Sequence, residues 1–205
     1  MIRPTVRERT GGRSARVVEA VMTTTLELLG EVGFDALRID EVAQRSGVNK
    51  TTIYRRWPTR ESLVHEALMT LTDHPLPDRT GDLEHDLIVH FEASLAWLMT
   101  PLGRGIARVI TTTLPEGALK PIFTELRETM LGRRSAIIRE AIADGRMPAT
   151  TDARFIAELM SAGIFPRAVK LGEDPEPGHV ARVVRIVLAG ARAMAGIPTI
   201  GIPRD

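Results

Sequence analysis

No cysteine occurs among the 205 residues, so the chain can form no disulfide, offer no thiolate to a metal and use no thiol nucleophile. Aromatic residues make up 4% of it, with one Tyr and two Trp, so the position of each one is informative. No apolar run approaches the roughly 18 residues that span a bilayer. The basic opening stretch MIRPTVRERTGGRSAR lacks the apolar segment of a secretory signal. A cytoplasmic protein with no membrane partner is the expectation from these absences. Excess charge is missing too: 27 Lys and Arg face 26 Asp and Glu, for a net charge of +1. The balance is that of an ordinary globular chain, long enough for one large domain or two modest ones.

The charges that are present lie unevenly. Residues 1–16 carry five arginines (Arg3, Arg7, Arg9, Arg13, Arg16) against Glu8 alone, and 45–60 carry five cations (Arg45, Lys50, Arg55, Arg56, Arg60) with no acid. Between them, 17–44 holds six acids and the single cation Arg38. Residues 71–205 are balanced, at 16 cations to 17 acids. Two basic segments beside one small region point to an anionic partner, although such clusters are more commonly solvated faces.

Helical periodicity runs through the chain. Val17, Val18, Val21, Leu26, Leu28 and Leu29 recur at three- and four-residue intervals, and Gly33 suits a left-handed helix stop. A short second helix around Ile39–Ala43 breaks at Ser46–Gly47. A third, KTTIYRRW, can be capped by Asn49 and stops before Pro58. A fourth follows Thr59. After the loop DHPLPDRTGD, further helices are expected over about 82–100, from Pro101, and over about 117–143, 152–171 and 178–195. No alternating strand pattern competes. The expected fold is all-α with about nine helices: a basic arm over 1–13, a three-helix helix-turn-helix domain over 14–58, a connecting helix over 59–72, and a larger helical domain over 73–205.

A helix of about eight residues, a glycine break and a second short helix make the layout of a helix-turn-helix. Ile53 faces inward on the third helix, which leaves Lys50, Thr51, Thr52, Tyr54 and Arg55 outward. Threonine hydroxyls and methyls can meet base edges and thymine methyls, lysine can reach phosphate or guanine, and tyrosine can donate to a phosphate oxygen. Trp57 is expected to pack inward, between the third and fourth helices. The arm of Arg3, Arg7 and Arg9 reads either as a floppy basic tail or as a minor-groove insert.

Residues 27–63, ELLGEVGFDALRIDEVAQRSGVNKTTIYRRWPTRESL, resemble the DNA-binding domain of the tetracycline-repressor (TetR) family of bacterial transcription regulators. The resemblance spans about a quarter of the chain (14–63). It implies an all-α homodimer with a reader domain and a divergent regulatory domain. It also carries DNA contacts onto Lys50, Thr51, Thr52, Tyr54 and Arg55, with Arg56 beside them and Asn49 capping the reading helix. Two positions depart from the family pattern. Arg38 stands where threonine often caps the second helix and touches phosphate, and Thr51 stands where a very small residue is common. Arginine cannot accept the capping bond but can still meet phosphate.

Stripes of Phe91, Leu95, Trp97 and Leu98, of Ile106 and Ile110, and of Phe123, Leu126 and Met130 read most simply as core. With the resemblance they become candidate walls of a cavity for a small hydrophobic effector of unidentified structure. The last two helices are apolar on more than one face, through Phe155, Leu159 and Met160 and through Val183, Val184, Val187 and Ala191. In the family such a pair forms a four-helix dimer seam, and a two-fold dimer implies a pseudo-palindromic DNA site. His85 and His90 are five residues apart and do not share a helix face, and no nucleophile–base pairing stands out. Neither a metal, a cofactor nor catalysis is expected. The reading is a ligand-responsive dimeric transcription regulator, more a repressor than an activator. The alternatives are an all-α ligand carrier or enzyme with a lapsed reader, and a non-specific architectural DNA binder.

Overall fold

The computed structural model describes residues 11–72, 78–113, 117 and 119–194. Among the described residues there are nine α-helices and no strand: α1 (Gly11–Ala36), α2 (Ile39–Ser46), α3 (Lys50–Arg56), α4 (Arg60–Met69), α5 (Leu83–Leu98), α6 (Pro101–Thr113), α7 (Lys120–Ala143), α8 (Ala153–Ile164) and α9 (His179–Ala193). A 3₁₀ turn at Thr70–Thr72 extends α4, and a π-helical segment, Arg167–Leu171, follows α8. The arm residues Arg3, Arg7 and Arg9 lie outside the described residues.

The chain divides into two compact units, Met1–His74 with Pro101–Phe123, and Pro75–Thr100 with Thr124–Asp205. Within the expected regulatory domain over 73–205, α6 packs in the same unit as the front helices. Two glycines explain the attachment. A Cβ on Gly105 of α6 would lie 2.7 Å from the Gly30 Cα of α1, so only glycine lets the two backbones cross this closely. Ile106, Ala107 and Val109 on α6 are buried.

In the first unit the periodicity of α1 buries Val21, Leu28 and Leu29 completely, together with Leu37, Val42 of α2 and Ile53 of α3. Burying a side chain of this size contributes about 2 kcal/mol each. Val18 and Val48 are only partly buried. The helical run of α1 breaks at Gly33 as expected, but not through a left-handed residue: φ is 76° while ψ is 175°. The left-handed stop is Gly47 instead (φ 67°, ψ 14°), which turns the chain between α2 and α3.

The second unit is held by one apolar cluster. Leu83, Leu87, Phe91 and Leu95 of α5 meet Leu131, Ile137 and Ile138 of α7, and Ile156, Met160, Val184 and Leu188 of α8 and α9. Asp82 caps α5 by accepting from the His85 amide at 3.0 Å, and Asp152 caps α8 through the Arg154 and Phe155 amides. No described helix is long and apolar enough to cross a membrane.

Candidate nucleic-acid interface

The helix α3 has seven residues and one apolar anchor, so every other side chain is free to face solvent. Ile53 is fully buried, whereas Lys50, Thr51, Thr52, Tyr54, Arg55 and Arg56 are exposed. Asn49 Oδ1 accepts from the Thr51 amide at 2.8 Å and fixes where the helix begins. At the other end Trp57 is buried, and its Nε1 donates to Glu66 of α4 at 2.7 Å. Glu66 also receives Arg56 at 3.3 Å, and the Arg56 guanidinium lies 5.2 Å from the Trp57 ring. Thr59 and Ser62 form a reciprocal capping box at the start of α4. The reading helix is thus pinned at both ends.

The cations around it are largely occupied. Lys50 Nζ sits 2.6 Å from Asp40 of α2, and this hydrogen bond raises the lysine above its ordinary pKa. Arg45 joins Glu31 and Glu41, each at 2.7 Å. Arg60 stacks over Phe34 at 4.0 Å and donates to the Asp35 carbonyl, tying α4 to the end of α1. Arg38 at the start of α2 accepts no capping bond. Its Nη1 donates to the Asp35 carbonyl at 2.7 Å. Arg55 forms no ion pair among the described residues. Exposed pairs of this kind exchange readily for phosphate because solvent screens them already.

The acids Asp40 and Glu66 were not singled out from the sequence. The signal available was an acidic segment next to a basic one, but only the helix crossings match particular partners. The other candidate residues scatter. Ile106, Ile110 and Phe123 belong to the first unit, and Phe91, Leu95, Trp97, Leu98, Leu126 and Met130 to the second. Phe91, Leu95, Ile106, Phe123 and Leu126 are buried, and Trp97, Leu98, Ile110 and Met130 partly so. Within the second unit a groove of about 280 Å³ lies between α5 and the segment before α9, lined in part by Glu92, Leu95, Met99, Pro177 and His179. Of the nine expected wall residues it uses Leu95 alone.

Two expected interface residues are corrected. Met160 and Val184 are fully buried in the chain's own core, because they lie on the helix face that joins α8 to α9 and α5. Phe155 (57% exposed) and Leu159 (44%) do stand out, as does Ile186 (65%) of the stripe on the last helix. Val183, Val187 and Ala191 are half-buried. His90 is buried and His85 exposed, and no three His, Cys, Asp or Glu side chains converge as a metal site would require among the described residues.

A capped, exposed, polar reading helix set on a glycine turn against two supporting helices defines a helix-turn-helix DNA-binding protein. Comparison with known proteins takes this further. Residues 21–67 match the model of the bacterial regulatory proteins of the tetR family, and 76–187 match the tetracyclin repressor-like C-terminal domain. The chain is 38% identical over 182 residues to the DNA-binding transcriptional repressor TetR of Mycobacteroides abscessus, covering 82% of this chain and 90% of that one. It is 29% identical over 190 residues to the HTH-type transcriptional regulator AqdR of Rhodococcus erythropolis, covering 89% of each. The fold also matches full-length TylP, a TetR regulator from Streptomyces fradiae, with a TM-score of 0.72 at 20% identity over 88% of each chain. The chain belongs to the TetR family and is a DNA-binding transcriptional regulator.

Proposed function

We propose that the protein is a dimeric repressor that leaves a pseudo-palindromic operator when a small effector binds its second unit. The observation that carries the DNA-reading part is the face of α3. With Ile53 buried, Thr51 and Thr52 stand where base edges can be met, Lys50 and Arg55 flank them, and Tyr54 can reach a phosphate. Arg38 and Arg56 add backbone contacts at the rim, and Arg3, Arg7 and Arg9 of the arm enter the adjoining minor groove.

The dimer rests on exposed apolar side chains along α8 and α9. Phe155, Leu159 and Ile186 would cost free energy left in water, and a second copy of the same helix pair covers them. Release follows from linkage: an effector that favours a conformation unable to seat both reading helices weakens DNA binding by that difference in free energy. The groove beside Leu95 and the apolar cluster around Phe91 support a small, mainly apolar effector.

The test is fluorescence-anisotropy binding to the DNA flanking the protein's own gene, with random duplex as competitor. The wild type should resist the competitor, and Tyr54→Ala should lose roughly tenfold or more in affinity. Equal affinity for flanking and random DNA would reject the proposed operator reading.

A further inference from the structure

One side chain that no sequence stripe singled out lies partly buried against the apolar core of the second unit. Arg134, on α7, lays its guanidinium 5.3 Å from the ring centre of Phe91 and 4.7 Å from that of Phe165. The two rings are themselves 5.8 Å apart. Arg134 Nη1 donates to Ser161 Oγ at 3.2 Å, and that hydroxyl donates onward to the Ala157 carbonyl at 2.7 Å. Nε is buried with no hydrogen-bond partner. Nη2 makes no hydrogen bond and Arg134 no ion pair among the described residues. Burial draws the guanidinium down to about 10, so it remains a cation at neutral pH.

A largely desolvated cation with no counter-charge among the described residues is unfavourable, and stacking on two rings offsets only part of that cost. Packing does not demand it, since a methionine would fill similar space without desolvating a charge. Its neighbour His90 stacks edge-on to Phe91 at 5.7 Å and is held neutral, drawn down to about 4 first by burial and then by the charges of Arg134, Arg133 and Arg79. The site therefore carries one positive charge and an unused donor edge. The Nε–Nη2 edge of a guanidinium is a pair of parallel donors that matches the two oxygens of a carboxylate.

We propose that Arg134 is the anion-recognising residue of the effector site, and that the effector is an organic monocarboxylate with an apolar body. Its carboxylate takes the Nε–Nη2 edge in place of the missing counter-ion, and its body packs on Phe165 and runs along α5 towards the groove. That groove is close at hand. Leu95, which lines it, stands one helical turn after Phe91, and its His179 reaches the Gly163 carbonyl two residues before Phe165. The inference rests on the reading that the second unit takes an effector, and it gives that mainly apolar ligand one carboxylate.

The experiment pairs acids with their uncharged amides: octanoate with octanamide, decanoate with decanamide, and phenylacetate with phenylacetamide. Full-length wild type and Arg134→Met are followed by thermal unfolding and by release of bound operator DNA. The expected result is that at least one acid raises the wild-type melting temperature where its amide does not. In Arg134→Met that shift is lost, with at least a tenfold weaker dissociation constant, while the ligand-free melting temperature does not fall. Should Arg134→Met fail to fold, Arg134→Lys keeps a charge without the paired donors and should also weaken the acid at least tenfold. Acid and amide binding alike, no acid binding the wild type, or the acid binding Arg134→Met as well as the wild type would each overturn the proposal. An amide that releases operator DNA from both proteins would overturn it while leaving the effector-controlled repressor intact. An acid that binds through Arg134 without releasing DNA would leave the Arg134 site standing and remove the repressor reading.

Discussion

Lys50 on α3 and Arg134 on α7 are both cations on helices, and the two units treat them in opposite ways. Lys50 stands in solvent on α3 with Asp40 2.6 Å away. Arg134 on α7 lies over the rings of Phe91 and Phe165 and bonds one hydroxyl, with no acid beside it among the described residues. In water an ion pair is cheap to form and cheap to break, so the pairs of the first unit leave its cations open to exchange for an anionic partner. In a desolvated setting the same charge cannot be ignored, and a missing partner becomes a specific affinity. The reading unit therefore screens its charge, and the second unit stores one.

This contrast can be broken at its strongest point with acid. His90 binds its proton only near pH 4 in the folded chain, against about 6.5 when unfolded. A lowered pKa in a base means that the unfolded state takes up the proton first. Stability is therefore complete above about pH 6.5 and is lost as the pH falls from there towards 4, by up to about 3 kcal/mol. Amide hydrogen exchange at pH 7 and at pH 4.5 should show α5 and α7 losing protection while α2 and α3 lose little, and His90→Leu should abolish the difference. Equal losses in both units would mean that burial of charge does not distinguish them.

A smaller effect sharpens the comparison from the other side. Gly105→Ala pushes a methyl to within 2.7 Å of the Gly30 backbone in the first unit, where nothing flexible can give way. It should cost about 2 kcal/mol, read as a lower melting temperature. Gly132→Ala on α7 meets nothing within 4 Å and should be neutral or slightly stabilising. Equal melting temperatures for the two variants would show that the α1–α6 crossing is looser than its geometry.

The smallest effect concerns the screened charge itself. Asp40→Asn frees Lys50 and should leave stability almost unchanged. Affinity for random duplex should rise a few-fold, with a smaller ratio of operator to random binding, measured by anisotropy at fixed salt. Unchanged binding to random DNA would mean that Asp40 does not restrain Lys50.

The reading helix was legible because its signals are local. Asn49 as a cap, Ile53 as the inward anchor, Gly47 as the turn and Pro58 as the stop all act within a few residues of one another. Element positions were legible for the same reason, down to the start of α4 after Thr59. The effector walls were not. A stripe such as Phe91–Leu95–Leu98 says that a helix has an inner face, not whether that face meets another helix or a ligand. Met160 and Phe155 sit in the same stripe, and only the direction of the neighbouring helix buries the first and leaves the second in water. The placement of α6 beside α1 hung on two glycines 75 positions apart, Gly30 and Gly105, and neither carries any sign of the other.

By itself the sequence determined an all-α chain, a helix-turn-helix at its front and the side chains that α3 exposes, because caps, turns and periodicity are short-range interactions. Tertiary structure alone decided which charges are answered. Asp40 meets Lys50, Glu66 meets Arg56 and Trp57, and Arg134 meets no acid among the described residues, because an ion pair depends on distance in space, and helix packing sets that distance.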